Sequence, residues 1–288
     1  MKYIAVLSLL FFCSCQNKTK DEVYFESIKS NDISLSTPKE GEWLYEHKEA
    51  GQTFEQYKNV KKNHYDTGKN ILYLKPIGTF TNIQKEALEL TRQYLEIFFQ
   101  RRTILLNSVS DNIIPKFARR KKGTEQLLAP YILDSVLIKK LPENSVALMA
   151  ITEKDLYPKP EWNYVFGLAS YHKRVGVSSI YRLQNQHLDK SNFYLCLRRL
   201  INISSHEIGH MMSLHHCINA KCIMNGSNNL SETDTQPNRL CSECHQKLSW
   251  NLKYNNETRL KQLYLFFKKN QLSNDSELLK LDINQLYE

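Results

Sequence analysis

From residue 71 onward, apolar positions switch between a period of two and a period of three to four, and the switches mark elements. Ile71-Leu-Tyr-Leu-Lys-Pro-Ile77 predicts a first strand. Thr81 is placed to N-cap a helix running to about Gln100, with Ile83, Leu88, Leu90, Leu95, Ile97 and Phe98 as its apolar stripe. Arg102-Thr-Ile-Leu-Leu-Asn107 is strand-like again, and a helix from about Thr124 to Lys140, interrupted at Pro130, is predicted next. Val146-Ala-Leu-Met-Ala-Ile151 suits a buried strand. Tyr164–Ala169 and Val175–Ile180 read as two strands joined by a polar turn. A long helix then starts near Asp189 or Ser191, with Phe193, Leu197, Leu200 and Ile201 on one side. Strands and helices in this alternation, followed by a hairpin, predict a mixed α/β (α+β) sheet rather than a sandwich or a bundle. Two more helical patterns, 257–269 and 276–286, predict a helical appendage over residues 251–288 that packs on the core.

The first forty residues follow a different logic. Lys2 precedes an apolar run from Tyr3 to Phe12, and Cys13-Ser14-Cys15 follows. A positive start, an apolar stretch of about ten residues and a small residue before the cut describe a secretory signal peptide, here residues 1–14. Phe12-Cys13-Ser14-Cys15 resembles a bacterial lipobox, which implies lipidation of Cys15 and a place in the bacterial cell envelope, periplasmic or surface-exposed. The polar stretch 15–40 then reads as a linker leaving the membrane.

Composition adds boundaries. The chain has 288 residues, 41% hydrophobic and 24% charged, with 9 Gly and 8 Pro, which excludes collagen-like and wholly disordered chains. No stretch of 18 uninterrupted apolar residues offers a spanning helix. The net charge of +9 is densest at Lys116-Phe-Ala-Arg-Arg-Lys-Lys122, which lacks the aromatic interleaving of a nucleic-acid site. A solvated loop between strand and helix is expected there, with no nucleic-acid partner. Seven cysteines are too few for a disulfide scaffold, and their clustering is informative.

His206-Glu-Ile-Gly-His210 places two imidazoles one helical turn apart on one face, where both reach one ion. Glu207 is rotated about 100° away, beside such an ion, where a general base belongs. On a continuous helix His216 would lie about 9 Å further along the axis, out of reach. The helix is therefore expected to end near Ser213 and turn back, giving a three-histidine site with an open fourth position. His215 is the other candidate for the third ligand. Cys217 and Cys222, then Cys241-Ser-Glu-Cys244, have the spacing of a structural four-cysteine zinc site, and two disulfides are the rival reading. His245 is an alternative ligand. Because Cys217 follows His216 directly, the second zinc would pin the segment that delivers the third histidine. Cys196 stands outside this set and is expected to be a small buried hydrophobe.

The run His206-Glu207-x-x-His210-x5-His216-Cys217-x4-Cys222-x-Met224, completed by Cys241-x-x-Cys244, resembles the archaemetzincin family of zinc metallopeptidases. Asp155-Leu-Tyr-Pro158, Asn163–Gly167 and Arg174–Ser178 are similar to the family's sheet segments. Trp43-Leu44 and Gln52-Thr-Phe-Glu-Gln56 resemble the N-terminal extension of its longer members. The resemblance implies a metzincin-like fold over residues 41–250: a mixed sheet, a long active-site helix and a cleft above the metal. It also implies two Zn2+ ions. His206, His210 and His216 would hold the catalytic one, and Cys217, Cys222, Cys241 and Cys244 the structural one. Glu207 would be the general base and Met224 the methionine of the turn beneath the metal. Ser213 stands where the family usually has Gly. The implied activity is peptide-bond hydrolysis, with a peptide or protein substrate that adds alongside the edge strand near Tyr164–Ala169. A zinc-stabilised binding lipoprotein without catalysis and an amidase acting on cell-wall peptides are the competing readings. A monomer is expected, attached to the membrane through its lipid.

Overall fold

The computed structural model describes residues 19–60 and 68–287, so the expected signal peptide and Cys15 lie outside the described residues. Among the described residues eight strands form two sheets: β1 Ile71–Ile77, β2 Thr103–Leu105, β3 Arg119–Lys122, β4 Thr124–Leu128, β5 Ser145–Thr152, β6 Asp155–Tyr157, β7 Gly167–Ala169 and β8 Val175–Ser179. The larger sheet has the order β2-β1-β5-β8-β7 and the smaller the order β3-β4-β6. In the larger sheet all pairs are parallel except β7 with β8, which leaves β7 as an antiparallel edge.

The helices are α1 Lys20–Ser27, α2 Trp43–Glu46, α3 Phe54–Asn59, α4 Asn82–Phe99, α5 Ala129–Tyr131, α6 Phe193–Met211, α7 Leu230–Asp234, α8 Ser242–Leu252, α9 Asn256–Lys269 and α10 Ser273–Asn284. Thr81 caps α4 through a capping box with Gln84, as its position predicts. Every residue of β5 is buried, because the sheet is covered on both faces. Leu72, Leu74, Met149 and Ile151 pack with Phe98, Leu197 and Leu200 of α4 and α6 on one side. Ile77, Leu148, Ala150 and Val177 pack with Ile132, Leu133 and Leu156 on the other. The mixed α/β architecture expected from the pattern is the one observed.

Three segments differ from expectation. Residues 124–128 are strand, not helix: Leu127 pairs with Arg119 of β3 and Leu156 of β6. Pro130 does not interrupt a helix but sits in the first turn of one, where its missing N–H costs nothing, and helical turns continue to Lys140. The basic run is a hairpin strand rather than a solvated loop. Arg119 pairs with Glu125 at 2.6 Å and Asp111 at 3.0 Å, and Arg120 lies 4.0 Å over the Tyr157 ring. The segment expected as a polar linker contains α1. Thr19 and Glu22 form a capping box, and Tyr24, Phe25 and Ile28 are buried, the first two against the His245 ring. Its polar majority hides an anchor of three apolar side chains.

The C-terminal helices do more than cover the core. Asp275 of α10 accepts from the Asn238 backbone N–H and side chain, and Asp282 holds Arg239 at 2.6 and 2.7 Å. Both contacts steady the chain just before Cys241. Among the described residues no helix is long and apolar enough to cross a membrane.

Candidate metal centre and active site

Helix α6 carries the site, and its ending makes the site. The helix stops at Met211, and Ser213 adopts a left-handed conformation with φ 66°. The Leu214 N–H donates to Gly209 O at 3.0 Å and the Ser213 N–H to His210 O at 2.8 Å, the bonding pattern of a Schellman cap. That cap usually takes glycine because a Cβ in this conformation costs about 1–2 kcal/mol. The Ser213 hydroxyl is also buried without a hydrogen-bond partner. Ser213→Gly should therefore stabilise the protein by about 1 kcal/mol, a rise of about 2–4 °C in Tm. A lowered Tm in a thermal melt would contradict this conformation.

The turned-back chain brings His216 to His206 and His210. Their ring centroids lie 4.5 Å (206–210), 5.2 Å (206–216) and 4.9 Å (210–216) apart. One nitrogen from each lies within 4.8 Å of the others. His206 Nδ1 donates to Ile223 O at 2.9 Å and His210 Nδ1 to Leu214 O at 2.7 Å. Carbonyl partners place the proton on Nδ1 and leave both Nε2 lone pairs bare, yet those two atoms face each other at 2.9 Å. Burial drives the His206 imidazole down to about 3, and burial with the neighbouring histidines drives His210 well below its usual value. Protonation therefore does not relieve the opposed lone pairs. A cation does, so the donor set fits a metal ion. His215 stays outside the group, exposed beside Tyr171.

Glu207 is 7% exposed and lines a cleft of about 540 Å³ together with the three histidines, Tyr171 and the β7 edge. Burial alone raises its carboxyl to about 8, and a cation held by the neighbouring histidines would draw it back toward the carboxylate form that a base needs. Gly167 of β7 makes this placement possible, since a Cβ there would sit 2.5 Å from Glu207 Oε1. Met224 lies fully buried beneath α6. Its sulfur occupies the space a side chain at Gly209 would need, so this pair lets the turn approach the helix closely.

The four cysteines also converge. Cys217, Cys222, Cys241 and Cys244 place their sulfurs within 4.8 Å of one another, all buried and all free. The Cys217–Cys241 sulfur separation is 3.5 Å, far beyond the ~2.05 Å of a disulfide. Thiol hydrogen bonds from its three neighbours hold Cys217 down as a thiolate. Cys222 and Cys244 are pushed up, Cys222 chiefly by burial and Cys244 chiefly by the neighbouring thiols. Four thiol sulfurs this close can all ionise only around a multivalent cation, and the N–H groups of Met224 and Cys241 already point at Cys222 Sγ (3.4 and 3.3 Å). The set thus fits a closed metal site. Cys241 and Cys244 sit at the N-terminus of α8, whose dipole favours negative sulfur. His245 points away into an aromatic pocket, and Cys196 is buried in the core with burial raising its thiol to about 12.

The two clusters share one loop. The Cys217 N–H donates to Met224 O at 2.8 Å, and Ile223, between Cys222 and Met224, offers its carbonyl to His206.

Sequence reasoning missed three residues of the site. Glu49 accepts from His216 Nδ1 at 2.7 Å. Tyr171 packs its ring 4.9 Å from His210, and burial keeps its phenol protonated. Asn202 lies one turn before His206 with neither amide atom hydrogen-bonded among the described residues, a donor and an acceptor in the cleft wall. The 202/206/210 spacing on α6 was the available signal for Asn202; Glu49 and Tyr171 had none.

A helix-borne histidine pair completed from a turn, with a buried carboxylate beside a sheet edge, defines a metallopeptidase centre. Residues 133–250 match the profile of peptidase family M54. Archaemetzincin-2 of Rattus norvegicus is 30% identical over 257 residues, 78% of this chain and 71% of that protein. The archaemetzincin of Thermococcus kodakarensis is 39% identical over 109 residues, 38% of this chain and 58% of that protein. The crystal structure of archaemetzincin from Methanopyrus kandleri superposes with a TM-score of 0.54 at 26% identity, over 66% of this chain and 99% of that one. The chain belongs to the archaemetzincin family and is a zinc-dependent metallopeptidase.

Proposed function

We propose that this chain hydrolyses peptide bonds with His206, His210 and His216 holding a catalytic zinc and Glu207 as general base. Cys217, Cys222, Cys241 and Cys244 hold a second, structural zinc, and Met224 forms the turn beneath the first. The observation that carries this reading is the convergence of three bare imidazole nitrogens in a cleft that also buries Glu207. Zinc bound there supplies Lewis acidity, polarising the scissile carbonyl and bringing the pKa of a water toward ~7. Glu207 takes the proton of the attacking water and passes it to the leaving amine nitrogen. The outer edge of β7 offers main-chain groups to an extended substrate, with Asn202 in the wall of the cleft. Tyr171 keeps its proton beside His210 and remains a hydrogen-bond donor.

Metal analysis tests the assignment. The full chain should carry two zinc ions, and His210→Ala should carry one. One zinc in the parent, with the four cysteines oxidised to disulfides, would defeat it. Location is tested separately: with Cys15 lipidated and the protein membrane-anchored in the cell envelope, Cys15→Ala should move it to the soluble fraction. Undiminished membrane retention would refute the anchor.

A further inference from the structure

The three histidines are not held alike. His206 and His210 donate to main-chain carbonyls of the turn and loop that follow α6. His216 instead donates to a carboxylate, Glu49, 167 residues earlier in the chain. Glu49 Oε1 also accepts from Trp43 Nε1 at 2.8 Å, so one oxygen is fixed from two sides. The Trp43 ring meets the His216 ring edge to face at 4.9 Å. Trp43 is held in turn by its backbone N–H on Glu232 at 2.9 Å and by Gly226, where any Cβ would strike its ring.

The same segment grips the turn that carries His216. Gln52 Nε2 donates to Ser213 O at 3.1 Å, Tyr57 OH donates to Met212 O at 2.8 Å, and Lys247 donates to Gln52 O. Residues 43–57 therefore form a strap across the end of α6. The strap lies outside residues 133–250, the part matched by the family profile.

We propose that Glu49 is a positioning residue for the catalytic metal: its carboxylate orients His216 and strengthens that imidazole as a ligand, so the strap completes a metal site whose other two ligands are held by main-chain carbonyls. This rests on the metallopeptidase reading of the three-histidine site. A carboxylate behind a metal-bound imidazole fixes the tautomer, raises the basicity of the ligating nitrogen and offsets part of the charge of the ion. The two main-chain carbonyls do only the first of these at full strength. Loss of such partners elsewhere weakens metal binding 10–100-fold.

The test uses the full chain and zinc itself, with competition by a colorimetric chelator and parallel cobalt substitution. Glu49→Gln keeps an acceptor oxygen but removes the charge. It should weaken the histidine-site zinc 10–100-fold, leave the cysteine-site zinc in place and shift the visible cobalt spectrum of the histidine site. Glu49→Asp should recover part of the loss. Trp43→Phe, which keeps the carboxylate but removes one anchor, should give a smaller weakening in the same direction, and it keeps the proposal testable if Glu49→Gln is insoluble. Tyr57→Phe controls for the strap as mere scaffolding: it should lower Tm without moving the cobalt spectrum. Zinc bound equally tightly by the parent, Glu49→Gln and Trp43→Phe, with unchanged cobalt spectra, would overturn the role of Glu49 alone. A parent chain that holds no zinc on its histidines would overturn the metallopeptidase assignment as well.

Discussion

Glu207→Gln should reduce kcat/KM for peptide hydrolysis about 10²–10⁴-fold while both metals and the fold remain. The amide is nearly isosteric with the carboxylate, so the tight placement of residue 207 against Gly167 is preserved. What is lost is the ability to accept a proton from water and return it to the leaving nitrogen. Because Glu207 is not among the three convergent histidines, zinc content should not change. The measurement is steady-state cleavage of a peptide library with metal analysis on the same preparation. Turnover equal to the parent would mean that proton transfer runs through another group.

Cys222→Ser should have the largest effect on stability. A closed thiolate site carries folding free energy outright, on the order of 10–16 kcal/mol in small zinc domains, against a total stability of about 5–15 kcal/mol for a typical domain. Cys222 Sγ also receives two backbone N–H groups, from Met224 and Cys241, so its loss slackens the loop on both sides. That loop supplies Ile223 O to His206 and the chain leading back to His216. Cys222→Ser should therefore lower Tm by well over ~5 °C and loosen the histidine-site zinc too. A variant that loses only the cysteine-site metal, at unchanged Tm, would show that the shared loop does not couple the sites.

The two long central strands of the main sheet were legible from their apolar pattern. Ile71–Ile77 and Val146–Ile151 read correctly, and Thr81 announced α4 as its N-cap, to which the structure adds a capping box with Gln84. Of the small sheet only β6 was flagged, by the resemblance of Asp155–Pro158 to a sheet segment; β3 and β4 are four and five residues long, and Arg119–Lys122 presents charge where a strand usually presents apolar side chains. Its arginines are satisfied by partners that come from elsewhere in the chain, such as Asp111 and Tyr157. The site divides the same way. Ligand spacing is local, so the histidine and cysteine groups could be read directly. That His216 must fold back followed from helix geometry alone, and Ser213 does adopt the positive φ this needs. Glu49 could not be read, because nothing in Glu46-His-Lys-Glu49 distinguishes a metal-site carboxylate from a solvated one. Only tertiary contact makes the distinction. The α1 anchor failed for a related reason: three apolar residues among polar neighbours carry no period, yet they suffice to dock a helix already capped by Thr19.

The strap also sets an order of events during synthesis. Trp43, Glu49, Gln52 and Tyr57 leave the ribosome first, but their partners at 212–216 and Glu232 follow some 155–189 residues later. At about 5–20 residues per second, that interval is roughly 8–40 seconds. The strap docks only after α6 and its returning turn exist, because its partners there have not been made before then. The cysteine pairs straddle the same stretch, Cys217 and Cys222 before Glu232 and Cys241 and Cys244 after it. His216 and its Glu49 partner therefore cannot meet until the turn after α6 has been made, so the histidine centre and its strap form together rather than in chain order.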